Sequence, residues 1–345
     1  MITASRILVV GAGFAGATVA RCLADKGYQV EVIDRRLHVA GNAYDFVGPY
    51  GIRQHAYGPH LFHTSNERVI EFLSRFTTWL PYKHKVKAML ENGRLVTLPV
   101  NKETSAIVGF ENVLDIFFRP YTRKMWGVEL DDLDPEILNR VPIREDLNEY
   151  YFPNDSFQGL PANGYTILIE NMLDHPRINV SLNCSFHQGM DKNFVHTFNS
   201  MSIDEYFDYN LGVLPYRSIK FETHTLPLPK AFPVATVNFT HAEPYTRVTE
   251  WKNLPGHGDH PSHTVLTFEV PCDFTENNLE RYYPVKDVAH QNRSIYESYR
   301  RMIPPNLTFI GRCGVYAYLD MHQAVSASLA SADRFFQSDL SFRRK

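Results

Sequence analysis

The sequence predicts an α/β fold: a Rossmann-type domain, a short helical insertion and an antiparallel β-sheet domain. Three observations support this prediction. A glycine-rich turn near the N-terminus stands between two apolar runs and opens a helical stretch, as a βαβ unit requires. A block with strand-like alternation fills the third quarter of the chain. A final apolar run ends in glycine and leads into a segment rich in alanine and serine that has helical spacing.

The N-terminal turn has the spacing of a dinucleotide-binding fingerprint. Gly11 suits the tight turn, Gly13 lets a pyrophosphate approach the backbone, and Gly16 permits close packing of helix and strand. The free N–H groups and the positive end of the helix attract the pyrophosphate. The second apolar run ends at Asp34, which is expected to accept hydrogen bonds from ribose hydroxyls. The turn therefore predicts a dinucleotide without saying which one.

Composition narrows the class of protein. The chain has 345 residues, 44% hydrophobic and 21% charged, which is ordinary for a globular enzyme with more than one core. A net charge of −3 argues against nucleic-acid partners and anionic membranes. The four cysteines lack paired or metal-like spacing, so free thiols and no metal are expected. With no room for a leader and no membrane-length apolar stretch, a cytoplasmic protein without membrane insertion is expected.

The remaining elements follow from local patterns. Asn92-Gly93 between two short apolar runs predicts a hairpin. Helical spacing predicts helices at 67–76, 165–173 and 321–336, and a helical insertion from 102 to about 140 with Asn101 as a cap. Strands are expected at 86–90, 94–98, 178–182, 217–225, 235–240, 247–251, 264–270 and 307–312. The density of proline among the later strands favours an antiparallel sheet.

The C-terminal strand and helix select the dinucleotide. In flavoproteins with two dinucleotide-binding segments, such a late strand returns the chain to the flavin, whereas an NAD dehydrogenase needs no such return. FAD is therefore favoured over NAD. The predicted FAD-binding domain is discontinuous, comprising residues 1–78, 160–208 and 303–338. Residues 101–141 form a shortened helical domain, and residues 79–100, 142–159 and 209–302 form the antiparallel substrate domain.

A series of motifs in a fixed order gives the chain a family resemblance. They are GNAY (41–44), YGPHLFHT (57–64), KMWG (124–127), PIR (142–144), GYT (164–166), YFDY (206–209), YRS (216–218), PYTR (244–247), YYP (282–284), GR (311–312) and YLDM (318–321). Together they resemble bacterial UDP-galactopyranose mutases over residues 1 to about 330. The resemblance implies a flavin-dependent isomerase in cell-surface polysaccharide synthesis. It would interconvert UDP-galactopyranose and UDP-galactofuranose, or a close analogue, through attack of N5 of reduced FAD on the anomeric carbon.

The resemblance also implies roles for individual residues. Arg144, on a mobile lid, and Arg247 would stabilise the diphosphate as the glycosyl bond breaks, and His60 would position flavin and sugar. These three are the expected catalytic residues. The expected substrate-binding residues are Phe117, Tyr121, Trp126, Arg144, Asn238, Arg247, Tyr282, Tyr283 and Tyr318. The expected cofactor-binding residues are Gly11, Gly13, Phe14, Gly16, Asp34, Arg35, Gly41, Asn42, His60, Arg312, Tyr318, Asp320 and Met321. His63 is expected to be structural.

The sequence departs from the family pattern in three places. The helical insertion is shorter than usual, which leaves the oligomeric state open between a homodimer and other forms. Met125 stands where glutamine is common, and residues 199–202 replace a turn containing Gly-Pro. The changes at Met125 and at residues 199–202 bear on which sugar or base is accepted. UDP-N-acetylgalactosamine and dTDP-fucose are alternative substrates for the same mechanism. An FAD-dependent oxidoreductase of the amine oxidase type and a non-catalytic nucleotide-sugar binder are more remote alternatives.

Overall fold

The computed structural model describes residues 6–132, 143–287 and 289–343, with side chains to residue 339. The helices are α1 (Phe14–Asp25), α2 (Glu67–Ser74), α3 (Lys102–Val108), α4 (Arg119–Trp126), α5 (Gly164–Leu173), α6 (Ile203–Tyr206), α7 (Gln291–Arg300), α8 (Gly311–Gly314) and α9 (Met321–Arg343). The strands are β1 (Arg6–Val10), β2 (Gln29–Ile33), β3 (Asp45–Val47), β4 (Arg53–His55), β5 (Phe62–Thr64), β6 (Trp79–Pro81), β7 (Val86–Met89), β8 (Leu95–Leu98), β9 (Phe157–Pro161), β10 (Ile178–Ser181), β11 (His196–Asn199), β12 (Tyr216–Leu226), β13 (Thr236–Phe239), β14 (Arg247–Glu250), β15 (Thr264–Asp273), β16 (Tyr283–Pro284) and β17 (Leu307–Phe309).

A parallel five-stranded sheet in the order β10-β2-β1-β11-β17 forms the Rossmann unit. Its central strand, β1, is an apolar run after Arg6, because both faces of the sheet are covered there. On one face α1 packs against α5 and α9, and on the other Leu8, Val10 and Ile33 meet apolar side chains between Cys184 and Phe194. The last strand and helix of this unit come from the C-terminus, so the predicted Rossmann architecture is confirmed.

A seven-stranded sheet in the order β16-β12-β15-β14-β13-β7-β8 forms the second layer. Its strands pair antiparallel except for β7 and β13, which run parallel with Val86 opposite Thr236. The antiparallel expectation therefore holds for most pairs and is wrong for this one. A high density of proline indicates turns and edge strands, but it does not indicate how distant strands pair. The direction of the β7–β8 hairpin relative to β13 depends on the long connection between them. The predicted hairpin at Asn92-Gly93 is present.

The helical insertion begins with the predicted cap. Oδ1 of Asn101 accepts a hydrogen bond from N of Thr104 at 2.9 Å, which satisfies a free N–H of the first turn. A π-helical turn, Leu114–Phe118, precedes α4, and Pro120 lies in the first turn of α4, where proline is tolerated. The predicted insertion extends to residue 141, and its part from residue 133 lies outside the described residues. The proposed domain boundaries stay a prediction.

The longest described helix, α9, covers 23 residues and packs along α1. Serine and charged residues recur along it. Across the described ranges, no helix is both long and apolar enough to cross a membrane.

Candidate active site

A cleft of about 560 Å³ lies between α4, one face of the seven-stranded sheet and the C-terminal return of the Rossmann unit. Many of the predicted site residues line it, although they are far apart in sequence: Asn42, His60, Phe117, Tyr121, Trp126, Asn238, Arg247, Tyr282, Tyr283, Arg312, Tyr318, Asp320 and Met321. The remaining predicted residues are not among its lining residues: Gly11, Gly13, Phe14, Gly16, Asp34, Arg35, Gly41 and Arg144.

The glycine turn fits a dinucleotide pyrophosphate. A Cβ on Gly16 would lie 1.8 Å from the carbonyl oxygen of Gly11, so only glycine permits this contact between helix and turn. Gly13 precedes α1 without a side-chain cap, and the first turn of α1 holds no acidic residue. The positive end of α1 is therefore left for an anion. The Asp34 carboxylate accepts from N of Ala12 at 2.7 Å, which ties it to the turn and leaves lone pairs for a ribose.

Two adjacent arginines at the end of β2 differ in position. Arg35, a predicted cofactor residue, is 46% exposed and pairs with Glu280 at 3.2 Å. Arg36 is the half-buried one: it donates to Oδ1 of Asn42 at 2.9 Å and to Glu280 at 2.7 Å, and it lies over the ring of Tyr57. Arg36 therefore contacts a cleft residue, and sequence reasoning missed it. Two neighbouring arginines carry no sequence signal for which one points inward.

The C-terminal return is fastened to the cleft through Arg312. Its Nη1 donates to the carbonyl of Tyr282 at 2.9 Å, and Nη2 donates to that of Leu319 at 2.6 Å. The guanidinium also lies over the rings of Tyr283 and Tyr318, about 5 Å from each centroid. Arg312 therefore joins two predicted substrate-binding segments to the end of the Rossmann unit.

His60 presents a hydrogen-bond acceptor to the cleft. Its Nδ1 lies 2.8 Å from the carbonyl oxygen of Gly58, which can only accept, so Nδ1 carries the hydrogen. Burial lowers the pKa of His60 to about 4, so the ring is neutral at physiological pH. Nε2 consequently holds a lone pair.

A buried pair of histidines supports His60, and sequence reasoning missed its connection. N of His60 donates to Nδ1 of His55 at 3.0 Å, and Nε2 of His55 lies 3.0 Å from Nε2 of His257. Nδ1 of His257 faces the carbonyl of Pro255, so its Nε2 accepts and His55 donates. Because His257 is about 200 residues further along the chain, no local motif indicates this contact.

Arg247 forms an ion pair with Glu269 inside the cleft. Nε of Arg247 donates to Oε2 of Glu269 at 2.7 Å, and the glutamate is 1% exposed. Burial works to lower the pKa of Arg247, but the Glu269 carboxylate, together with the hydroxyls of Tyr121 and Tyr283, outweighs it and raises that pKa, so the guanidinium stays charged. Among the described residues, Glu269 is its one hydrogen-bond partner. The terminal nitrogens are thus available to an anionic ligand.

An aromatic wall stands opposite the sheet. Tyr121 and Trp126 lie on α4, and Phe117 lies in the π-helical turn before it. Trp126 meets Tyr283 edge to face at 6.3 Å, and Tyr283 stacks on Tyr318 with centroids 4.9 Å apart. Flat faces beside hydroxyl groups suit a nucleotide base and its phosphates.

Arg144 is directed to the backbone. Its guanidinium donates to the carbonyl oxygens of Tyr150 at 2.7 Å and Tyr151 at 2.9 Å, and its own N–H bonds to Val100. Tyr151 lines the cleft, so Arg144 supports the wall from behind. Its expected diphosphate contact stays a prediction.

His63, expected to be structural, also lines the cleft. Its Nδ1 lies 2.6 Å from Oδ2 of Asp155, and its ring stacks on Phe152 at 3.5 Å. The carboxylate and the ring contact hold the imidazole in one orientation.

Comparisons with known proteins agree with this architecture. The family model for UDP-galactopyranose mutase matches residues 116–318, and a model for an NAD(P)-binding Rossmann-like domain matches residues 9–76. The chain is 35% identical to a probable UDP-galactopyranose mutase of Klebsiella pneumoniae, over 96% of this chain and 95% of the relative. It is 31% identical to dTDP-fucopyranose mutase of Escherichia coli, over 97% and 99%. The crystal structure of a reduced UDP-galactopyranose mutase shares the fold, with a TM-score of 0.77 at 14% identity, covering 97% and 94% of the two chains. The chain therefore belongs to the UDP-galactopyranose mutase family, whose members are FAD-dependent isomerases.

Proposed function

We propose that this protein interconverts UDP-galactopyranose and UDP-galactofuranose with reduced FAD as its cofactor. The observation that carries the proposal is the charged Arg247, held by Glu269 in a cleft between an aromatic wall and the flavin-side loop of His60. A nucleotide-sugar needs these three surfaces: a flat slot for the base, a cation for the diphosphate, and room for a sugar beside the cofactor.

Arg247 stabilises the diphosphate in this proposal. Breaking a glycosyl–phosphate bond builds negative charge on the leaving oxygens, and a guanidinium fixed in advance stabilises that charge without reorganising. The hydroxyls of Tyr283 and Tyr318, and that of Tyr282 beside them, donate to the same phosphates. For Arg144 to join them, its guanidinium must release the carbonyl oxygens of Tyr150 and Tyr151.

The cofactor is held by the turn of Gly11, Gly13 and Gly16, by Asp34, and by Asp320 and Met321 at the start of α9. Reduced flavin, when bound, supplies a nucleophilic nitrogen for the anomeric carbon. His60 stays neutral and accepts a hydrogen bond through Nε2. Phe117, Tyr121 and Trp126 stack on the base, and Asn238 contacts the substrate from the sheet.

The same chemistry on dTDP-fucopyranose is a second candidate, because the Escherichia coli relative with that name is 31% identical over nearly the whole chain. UDP-N-acetylgalactosamine remains the third member of the test panel. The cytoplasm is the proposed location, since all four cysteines are free thiols, as a reducing compartment favours. A homodimer stays a prediction.

A chromatographic assay tests the proposal. The enzyme, reduced with dithionite under anaerobic conditions, is incubated with UDP-galactopyranose, dTDP-fucopyranose and UDP-N-acetylgalactosamine. We expect a furanose product from UDP-galactopyranose at the highest rate. An FAD-dependent oxidoreductase would instead let the substrate reduce, and thus bleach, the oxidised flavin. Bleaching of this kind without any furanose product would overturn the proposed function.

A further inference from the structure

Two polar residues on the sheet side of the cleft have no role in the account above. Thr236 begins β13 and lies opposite Val86 of β7. His84 precedes Val86 by two residues and lines the same cleft. The two side chains are 2% and 5% exposed. The part of the cleft wall that they form with Val86 is buried, yet it contains two polar groups, the Thr236 hydroxyl and the His84 imidazole.

The side-chain hydroxyl of Thr236 is buried and has no hydrogen-bond partner among the described residues. The same holds for Oδ1 of Asn238, two residues along the same strand. Leaving such an atom unpaired costs about 1–3 kcal/mol, and buried polar atoms in native proteins nearly always find a partner. Since both side chains line the cleft, a bound ligand is the natural source of that partner.

His84 offers a second polar contact. Its Nδ1 lies 3.2 Å from the hydroxyl of Tyr82, and among the described residues Nε2 has no side-chain or backbone partner. Burial, together with the neighbouring Arg247 and His63, lowers the pKa of His84 to about 3. The neutral ring matches a hydroxyl group, which both donates and accepts.

The position of His84 indicates which part of the substrate it meets. It lines the same cleft as Arg247, the cation assigned to the diphosphate, and His63, which follows His60 on the loop that the proposed function places beside the flavin. A nucleotide-sugar that extends from the diphosphate site to the flavin places its sugar ring between these two points.

We propose that Thr236 and His84 bind the 2-, 3- or 6-hydroxyl of galactose and thereby select a hydroxylated sugar over the analogue deoxygenated at that position. This inference rests on the proposed function and deepens it. A site built to hydrogen-bond a hydroxyl rejects the analogue that lacks it, because the protein atoms are then left unpaired.

Substitution of protein and substrate together tests the inference. Thr236→Val removes the hydroxyl and keeps the shape, and His84→Phe removes the ring nitrogens and keeps an aromatic ring. We expect each to lower kcat/KM for UDP-galactopyranose about five- to tenfold. For one of the 2-deoxy, 3-deoxy and 6-deoxy analogues, the same substitution should change kcat/KM less than twofold. An equal loss on all four substrates would overturn the proposal.

Thr249→Val is the matched control. Thr249 lies opposite Thr236 in β14 and has an equally buried, unpaired Oγ1, but it does not line the cleft. We expect it to leave the preference among the four substrates unchanged.

A binding measurement separates this inference from the proposed function. If the reduced wild-type enzyme isomerises none of the sugars, the proposed function fails, and calorimetric titration with UDP and UDP-galactose still tests the residues. Thr236→Val should weaken UDP-galactose about five- to tenfold and leave UDP unchanged. Equal effects on both ligands, or none, would refute the sugar contact.

Discussion

Arg247 and Glu269 lie opposite each other in neighbouring strands, and Nε of the arginine donates to Oε2 of the glutamate at 2.7 Å. The Nε edge of the guanidinium is thereby fixed by the sheet, and its two terminal nitrogens remain available to a ligand. The ion pair thus converts a flexible side chain into a fixed cation in the cleft. Several expected properties of the protein depend on this pairing.

Arg247→Ala is expected to reduce turnover by about 10²–10³-fold or more, because a fixed donor to developing charge is lost. The FAD content should equal that of the wild type, since the glycine turn is elsewhere. Turnover of the reduced enzyme and flavin absorbance per chain are the measurements. Arg247→Lys keeps the charge without the fork and should recover little activity. Near-normal turnover of the alanine variant would refute the role assigned to Arg247.

Arg247→Ala is also expected to make stability depend on pH. Burial raises the pKa of Glu269, and Arg247 works against this rise. Without the arginine that pKa rises further, so folding must protonate the carboxyl or bury its charge. Relative to the wild type, the loss in free energy of unfolding should be absent below pH 4.5, the usual pKa of a glutamate carboxyl. It should grow to about 2–3 kcal/mol towards pH 8. Urea unfolding at several pH values measures it, and Glu269→Gln in the same background should remove the dependence.

Gly16→Ala is expected to abolish FAD binding. The added Cβ would lie 1.8 Å from a backbone oxygen, so helix and turn must separate. Gly27→Ala is the matched control: it has a positive φ of 93° at the end of α1, but nothing lies within 4 Å of its Cβ position. It should lose about 1 kcal/mol of stability and keep its flavin. Flavin absorbance per chain compares the two variants, with circular dichroism to verify folding. A Gly16→Ala variant that keeps its full flavin content would contradict the role of the glycine turn in FAD binding.

The free energy of unfolding should fall as the pH drops from 6.5 towards 4. Burial lowers the pKa of His60, His196 and His257 to about 4, below the ordinary value of 6.5. Within that window the unfolded chain binds more protons than the folded one, so acid favours unfolding. His196→Gln removes one such group away from the cleft and should flatten the curve. A stability that does not change between pH 7 and 5 would show that these rings are not buried as neutral groups.

Local signals explain what could be predicted. The Rossmann turn, the cap at Asn101 and the hairpin at Asn92-Gly93 depend on neighbouring residues, and the structure contains all three. The ordered motifs likewise gather most expected site residues in one cleft.

Long-range geometry explains what was missed. The parallel pairing of β7 with β13 depends on how a hairpin enters a sheet from far away in the chain. The contact of His257 with His55 has the same origin. The choice between Arg35 and Arg36 depends on which side chain reaches Asn42, a residue of another loop. None of these properties is encoded by a short stretch of sequence.

The most direct measurement compares reduced and oxidised enzyme on one substrate. UDP-galactofuranose is incubated with fully flavin-loaded protein, either reduced with dithionite or left oxidised in air, and the products are separated by chromatography. If reduced flavin is the nucleophile, the reduced enzyme forms UDP-galactopyranose and the oxidised one shows no turnover. Equal rates in both states, or no pyranose from the reduced enzyme, would contradict that role.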